Sequence, residues 1–211
     1  MKISSTLLAT LAKSTLCIAA LCAAPASFAG PIALTNEGFE EPSQGQGFSY
    51  LMGQTVGGWT FGGGSGIAAN NSAFNVSQAP GNQAGFLQGQ GSTISQTFNF
   101  TGGLFFVDFL AEFRNGYGGN TINVLIDNQK LTFGGADAFA PSTGLTFSSY
   151  KSDALSLAAG QHVLTFAGTS PQDYTTFIDN VSVSAVPEPG TLALFAIGVL
   201  GAGALRRRRK S

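Results

Sequence analysis

Between residues 56 and 184 the chain alternates apolar and polar side chains in short runs, each bounded by Gly, Asn, Asp or Pro. A two-residue period places successive side chains on opposite faces of a strand, whereas a helix repeats every ~3.6 residues. No segment sustains the helical period. Ser92 to Phe100 sets Ile94, Gln96, Phe98 and Phe100 on one face. Leu104 to Phe113 sets Phe105, Val107, Phe109, Ala111 and Phe113 on one face and Leu104, Phe106, Asp108, Leu110 and Glu112 on the other. Thr121 to Asp127 alternates through Ile122, Val124 and Ile126. Asp127-Asn128-Gln129 then turns the chain into Lys130 to Phe133, as a hairpin does. Further strands are predicted at Val56 to Phe61, Ala84 to Gln88, Leu145 to Lys151, Gln161 to Ala167 and Thr175 to Ser184. Many short strands with regular turn signals predict an all-β fold, a β-sandwich or jelly roll. Gly62-Gly63-Gly64 is a loop with no helical pattern after it, so it is not a phosphate cradle.

The two ends break this pattern. Lys2 and Lys13 flank Met1 to Thr15, and an apolar stretch runs from Leu16 to Ala24. Ser27-Phe28-Ala29 then puts small residues at −3 and −1 before Gly30. This is the layout of a secretory signal peptide over 1–29, cut between Ala29 and Gly30 by signal peptidase. Cys17 and Cys22 both lie within it, so the body is predicted to hold no disulfide and no thiolate chemistry. At the other end, Val186-Pro187-Glu188-Pro189-Gly190 precedes an uncharged run of 15 residues, Thr191 to Leu205, and a basic close, Arg206 to Lys210. Proline fixes φ and pushes the residue before it toward extended backbone, so the motif is predicted to be an extended peptide. As a single hydrophobic helix the run spans roughly 22 Å. That is short for a ~30 Å hydrocarbon core, a mismatch that snorkelling and bilayer thinning absorb. The basic residues orient the C-terminus toward the cytoplasm.

Motif, apolar run and basic end together resemble the PEP-CTERM signal of Gram-negative exported proteins. The resemblance implies an exosortase as processing enzyme, transient inner-membrane insertion through 191–205, and display at the cell surface or in the extracellular matrix. A permanent single-span anchor is the alternative.

With both ends set aside, residues 30–185 form one predicted domain with three basic against ten acidic side chains, a formal charge of −7. Such a body lacks the basic footprint that nucleic acid demands and suits cations or neutral ligands. Along it lie Asn36-Glu37-Gly38-Phe39-Glu40, Gly57-Gly58-Trp59, Ile94 to Phe98, Gly160 to Phe166 and Phe177 to Val183. In that order these pieces resemble the galactose-binding-like jelly rolls of carbohydrate-binding modules.

On the closing strand a period of two places Phe177, Asp179, Val181 and Val183 on one face, so a carboxylate falls among core residues. A buried carboxylate must be hydrogen-bonded, paired, neutralised or metal-bound. The resemblance implies one structural Ca2+ held by Glu40 and Asp179, with backbone carbonyls completing the oxygen set. Two alternatives stand beside it: Asp179 accepts backbone N–H groups where the first and last strands meet, or it pairs with Arg114.

Sugar-binding jelly rolls stack ligands on exposed aromatics, for which Trp59, Tyr50, Tyr117, Tyr150 and Tyr174 are candidates, with Trp59 read as core. Tyr117 stands out, because Arg114-Asn115-Gly116-Tyr117-Gly118 is a polar, glycine-rich loop. Tyr117, Arg114 and Asn115 are therefore the candidate ligand residues, with an ordinary solvated hairpin loop as the alternative. Catalysis finds little support. His162, the chain's one histidine, sits on a strand beside Leu164 and Phe166. Asp108 and Glu112 lie roughly 13 Å apart along one strand, wide for a glycosidase pair, and Arg114 offers Glu112 a partner in an exposed charge row. The expectation is a non-enzymatic surface or matrix protein in an exopolysaccharide or biofilm setting. The alternative is a carbohydrate-binding module that grips the polysaccharide.

Overall fold

The computed structural model describes residues 31–141 and 146–186, all within one compact unit, Ala29–Val186. Among the described residues there are twelve strands and no helix. They are β1 (Pro31–Ile32), β2 (Phe48–Tyr50), β3 (Thr55–Val56), β4 (Trp59–Gly62), β5 (Ser65–Ala69) and β6 (Gln83–Gln88), followed by β7 (Thr93–Phe113), β8 (Ile122–Ile126), β9 (Gln129–Lys130), β10 (Ser148–Lys151), β11 (Leu155–Gly168) and β12 (Thr175–Ala185). The predicted signal peptide and the segment after Val186 lie outside the described residues, as does the start of the strand predicted from Leu145.

The two runs predicted at Ser92–Phe100 and Leu104–Phe113 are one strand of 21 residues. Even-numbered residues from Ile94 to Phe100 face inward, then odd-numbered residues from Phe105 to Ala111 do. The parity flips at Gly102-Gly103, whose φ values of 91° and 118° need a residue without Cβ. The partner strand β11 flips parity at the same level, where Ala159 faces Thr101 and Gly160 faces Phe100. This bent pair runs through both layers of the sandwich. The first half of β7 lies between β4 and β11, and its second half between β12 and β10. Trp59, Phe61, Ile94, Phe105, Phe109, Leu164 and Phe166 fill the space between the layers.

The strand predicted at Val56–Phe61 is instead a hairpin, β3–β4. Gly57 and Gly58, at φ 55° and 82°, make the two-residue turn that right-twisted strands favour. Asp127 and Asn128, at φ 48° and 70°, make the predicted β8–β9 turn in the same way.

A second, smaller cluster lies outside the main core. Phe74, Val76 and Ala79, from the strap of residues 70–82, cover Ala68, Ala84, Phe86 and Phe177. All five residues of β5 are therefore buried. Strands covered on both faces lose the alternation that marks a half-exposed strand.

Candidate functional site

The Phe177-Asp179-Val181-Val183 face does not exist as predicted. A bulge between Asp179 and Ser182, with Asn180 at φ 45°, shifts the pairing of β12 on β7 by one residue. Phe177 packs under the strap, while Val181 and Val183 belong to the main core. Asp179 lies at the change of face and is fully buried.

The structure does bring Asp179 to Glu40. Asp179 Oδ1 accepts the Asn180 N–H at 2.7 Å, and Oδ2 is buried without a partner. Burial, opposed by the Asn180 N–H and reinforced by the Glu40 charge, pushes the Asp179 carboxyl up to about 8. Glu40 Oε1 accepts the Asn82 and Gln83 N–H groups at 2.9 and 3.3 Å, and Oε2 accepts the Asn82 side-chain amide. Gly38 leaves the space between them open: a Cβ there would stand 3.3 Å from Asp179 Oδ1 and 3.4 Å from Asn180 Oδ1. A buried carboxylate with one oxygen unpartnered, under the charge of a second carboxylate, is a group that a hard, oxygen-ligated cation would neutralise. Among the described residues no group of three or more His, Cys, Asp or Glu side chains gathers, so only two carboxylates would contribute. Asp179 forms no ion pair with Arg114.

The second constellation forms at one end of the sandwich. Arg114 directly follows β7, and its N–H donates to Thr175 O at 2.9 Å. The loop closes when the Tyr117 N–H meets Arg114 O and Gly118 bridges back to Arg114. The guanidinium carbon then lies 3.9 Å from the Tyr117 ring centroid and 4.3 Å from that of Phe74. These distances are well within cation–π range. Tyr50 meets Phe74 edge-on at 5.9 Å. Tyr174 lies against Gly118, where a Cβ would come within 3.0 Å of its ring. Tyr50, Tyr117 and Tyr174 are 45%, 53% and 41% exposed, so three of the chain's four tyrosines open onto this surface with the body's one arginine.

Polar groups surround the rings. The Tyr50 hydroxyl donates to Gln88, and its pKa is raised by burial and then by the Asp173 carboxylate, against the Arg114 charge. The Asn75 side chain donates to Asn115 O at 3.2 Å. The predicted Arg114–Asn115–Tyr117 loop is therefore part of a larger platform that also uses Tyr50, Phe48, Phe74, Gln88, Asp173 and Tyr174. The signal for part of it was the alternation Phe48-Ser49-Tyr50, which puts two rings on one face. Phe74 carried no such signal. Trp59 is core, with its indole N–H on Asn36 O, and Tyr150 stacks on Phe109.

Glu112 is not in an exposed charge row with Arg114. It is fully buried under the strap, where Oε1 accepts the Ser77 N–H at 2.8 Å, and burial raises its pKa. His162 is a clamp. Nδ1 meets Asp127 at 2.5 Å and Nε2 meets Ala158 O at 3.0 Å, two acceptors that together favour the imidazolium and raise its pKa. Val186, the first residue of the predicted motif, donates its N–H to Leu104 O at 2.7 Å, so the pairing of β12 with β7 continues one residue past β12.

Residues 185–209 match the PEP-CTERM protein-sorting motif. No curated protein matches the chain. Among solved structures, the Stig cyclase Fisc from Fischerella sp. TAU, in complex with (3Z)-3-(1-methyl-2-pyrrolidinylidene)-3H-indole, is similar at 19% identity and TM-score 0.54. The match covers 77% of this chain and 100% of that one. The carbohydrate-binding module TmCBM61, in complex with β-1,4-galactotriose, is similar at 17% identity and TM-score 0.51, over 75% of this chain and 100% of that one. At these identities the likeness is one of fold. The chain is an all-β sandwich of the jelly-roll kind that carries a PEP-CTERM sorting motif, and that motif implies processing by an exosortase.

Proposed function

We propose that this chain is an exported, non-enzymatic surface or matrix protein of a Gram-negative bacterium. It is made with a signal peptide over 1–29, held transiently in the inner membrane through 191–205 and released from its tail by an exosortase. The observation that carries this reading is the sorting motif at residues 185–209, which begins where β12 ends. Replacing Pro187-Glu188-Pro189 by alanines should leave the chain uncleaved and membrane-bound while the wild type reaches the surface. Equal release of both would overturn the reading.

A second reading concerns what the displayed body does, and the tyrosine platform favours it. The platform binds extracellular polysaccharide: exposed rings stack on sugar faces, while Arg114, Asn115, Gln88 and Asp173 meet hydroxyls. TmCBM61 holds a galactotriose on the same kind of sandwich. Pull-down on polysaccharides should retain the wild type, and Tyr117→Ala should weaken binding at least tenfold, about 1.4 kcal/mol. Equal retention of the variant would exclude the platform. One structural Ca2+ at Asp179, Glu40 and Asn180 completes the proposal. It would neutralise the buried carboxylate and fasten the opening segment to the closing strand.

A further inference from the structure

The platform loop contains the chain's single Asn-Gly pair, Asn115-Gly116. Both residues are exposed. Among the described residues the Asn115 side chain has no hydrogen-bond partner, and neither does the Gly116 amide N–H. The loop is closed instead by Tyr117 N–H on Arg114 O and by the Arg114–Gly118 bridge. Gly116, at φ 81°, has open space around its Cα: a Cβ built there meets no atom within 4 Å. An unshielded backbone nitrogen therefore follows an unrestrained side-chain amide.

We propose that Asn115 is a self-modification site, whose only co-reactant is water. The Gly116 nitrogen, after losing its proton to solvent, attacks Asn115 Cγ. A C–N bond forms and closes a five-membered succinimide ring. The Cγ–Nδ2 bond breaks, and Nδ2 leaves as ammonia after taking a proton from water. Water then adds to either ring carbonyl and opens the ring, giving isoaspartate or aspartate. The balance is asparagine plus water to acid plus ammonia, with no redox change.

Other asparagines are poorer sites. Asn36, Asn71, Asn75, Asn128 and Asn180 also adopt positive φ in turns, but Glu37, Ser72, Val76, Gln129 and Val181 follow them, each with a side chain that shields its own nitrogen. Asn36 is further held by bonds to Glu41 in both directions.

The product matters because of its position. A carboxylate appears one residue from Arg114 and takes the body from −7 to −8. It can pair with the guanidinium that now stacks between Tyr117 and Phe74. Isoaspartate also adds a methylene to the backbone, so the short loop can no longer keep both its closing bond and its bridge. This consequence rests on the saccharide reading; the modification itself does not.

The exported protein, aged in warm, mildly alkaline buffer and mapped by peptide mass with isoaspartate detection, tests the proposal without any ligand. Conversion should appear first at residue 115, with ammonia release and isoaspartate in excess, and Asn115→Gln should remove it. Conversion at 115 no faster than at the other asparagines would overturn the proposal. So would an intact Asn115 in the folded protein while a peptide of residues 112–119 converts under the same conditions.

Discussion

Asp179 is the residue where the fold and its chemistry are most tightly joined. Buried with one oxygen unpartnered, its carboxyl is pushed from 3.8 up to about 8. In the metal-free protein the native state therefore keeps a proton that the unfolded chain loses above about pH 4. The stability this contributes is fully present below pH 4 and falls as pH rises toward 8, by at most ~1.4 kcal/mol per pH unit. A bound Ca2+ would keep Asp179 ionised and remove that slope. Melting curves across pH 4–8, with calcium and with chelator, are expected to diverge increasingly as pH rises. Coincident curves at every pH, together with wild-type stability for Asp179→Asn, would exclude the cation. The sequence shows that a carboxylate sits among core residues of the last strand. It does not show the bulge at Asn180, because one extra residue in a ladder leaves no trace in a two-residue period.

At the scale of elements, the strap of residues 70–82 is what the alternation pattern missed. It has no period of its own, and by covering β5 and β6 it erases the period of the strands beneath it. Phe74 holds it down, packing on Phe86 at 4.3 Å and on the Arg114 guanidinium at 4.3 Å. Phe74→Ala should cost about 3–5 kcal/mol, as truncation of a buried phenylalanine does. It should also expose residues 70–82 to limited proteolysis and weaken saccharide binding by releasing Arg114. A denaturation midpoint within error of wild type would refute the strap's role. The bent β7–β11 pair was more legible. Both halves of β7 alternate cleanly, and Gly102-Gly103 marks where the phase changes. The sequence presents two strands there because a phase change reads as a break. The loop that carries Tyr117 was legible from its glycines and its lone aromatic. Its partners Phe74, Gln88 and Asp173 come from distant segments that only the sheet order brings together.

For the whole molecule, β12 sets the geometry. Its first residue, Thr175, follows Tyr174 of the platform, and its last, Ala185, is followed by Val186 and the sorting motif. With 11 residues at ~3.3 Å each, the platform and the point where the tail departs stand on the order of 30 Å apart, at opposite ends of one strand. Release of the tail, as proposed, would also change the electrostatics. On the proposed processing, the basic groups of Arg206 to Lys210 would depart with it, and a chain of net charge −1 would become an acidic body of −7 over residues 30–185. The intact mass of the protein recovered from the cell surface tests this account most directly. A chain beginning at Gly30 and ending within the Val186–Gly190 motif is the expected result. A surface protein whose mass still includes residues through Ser211 would contradict it.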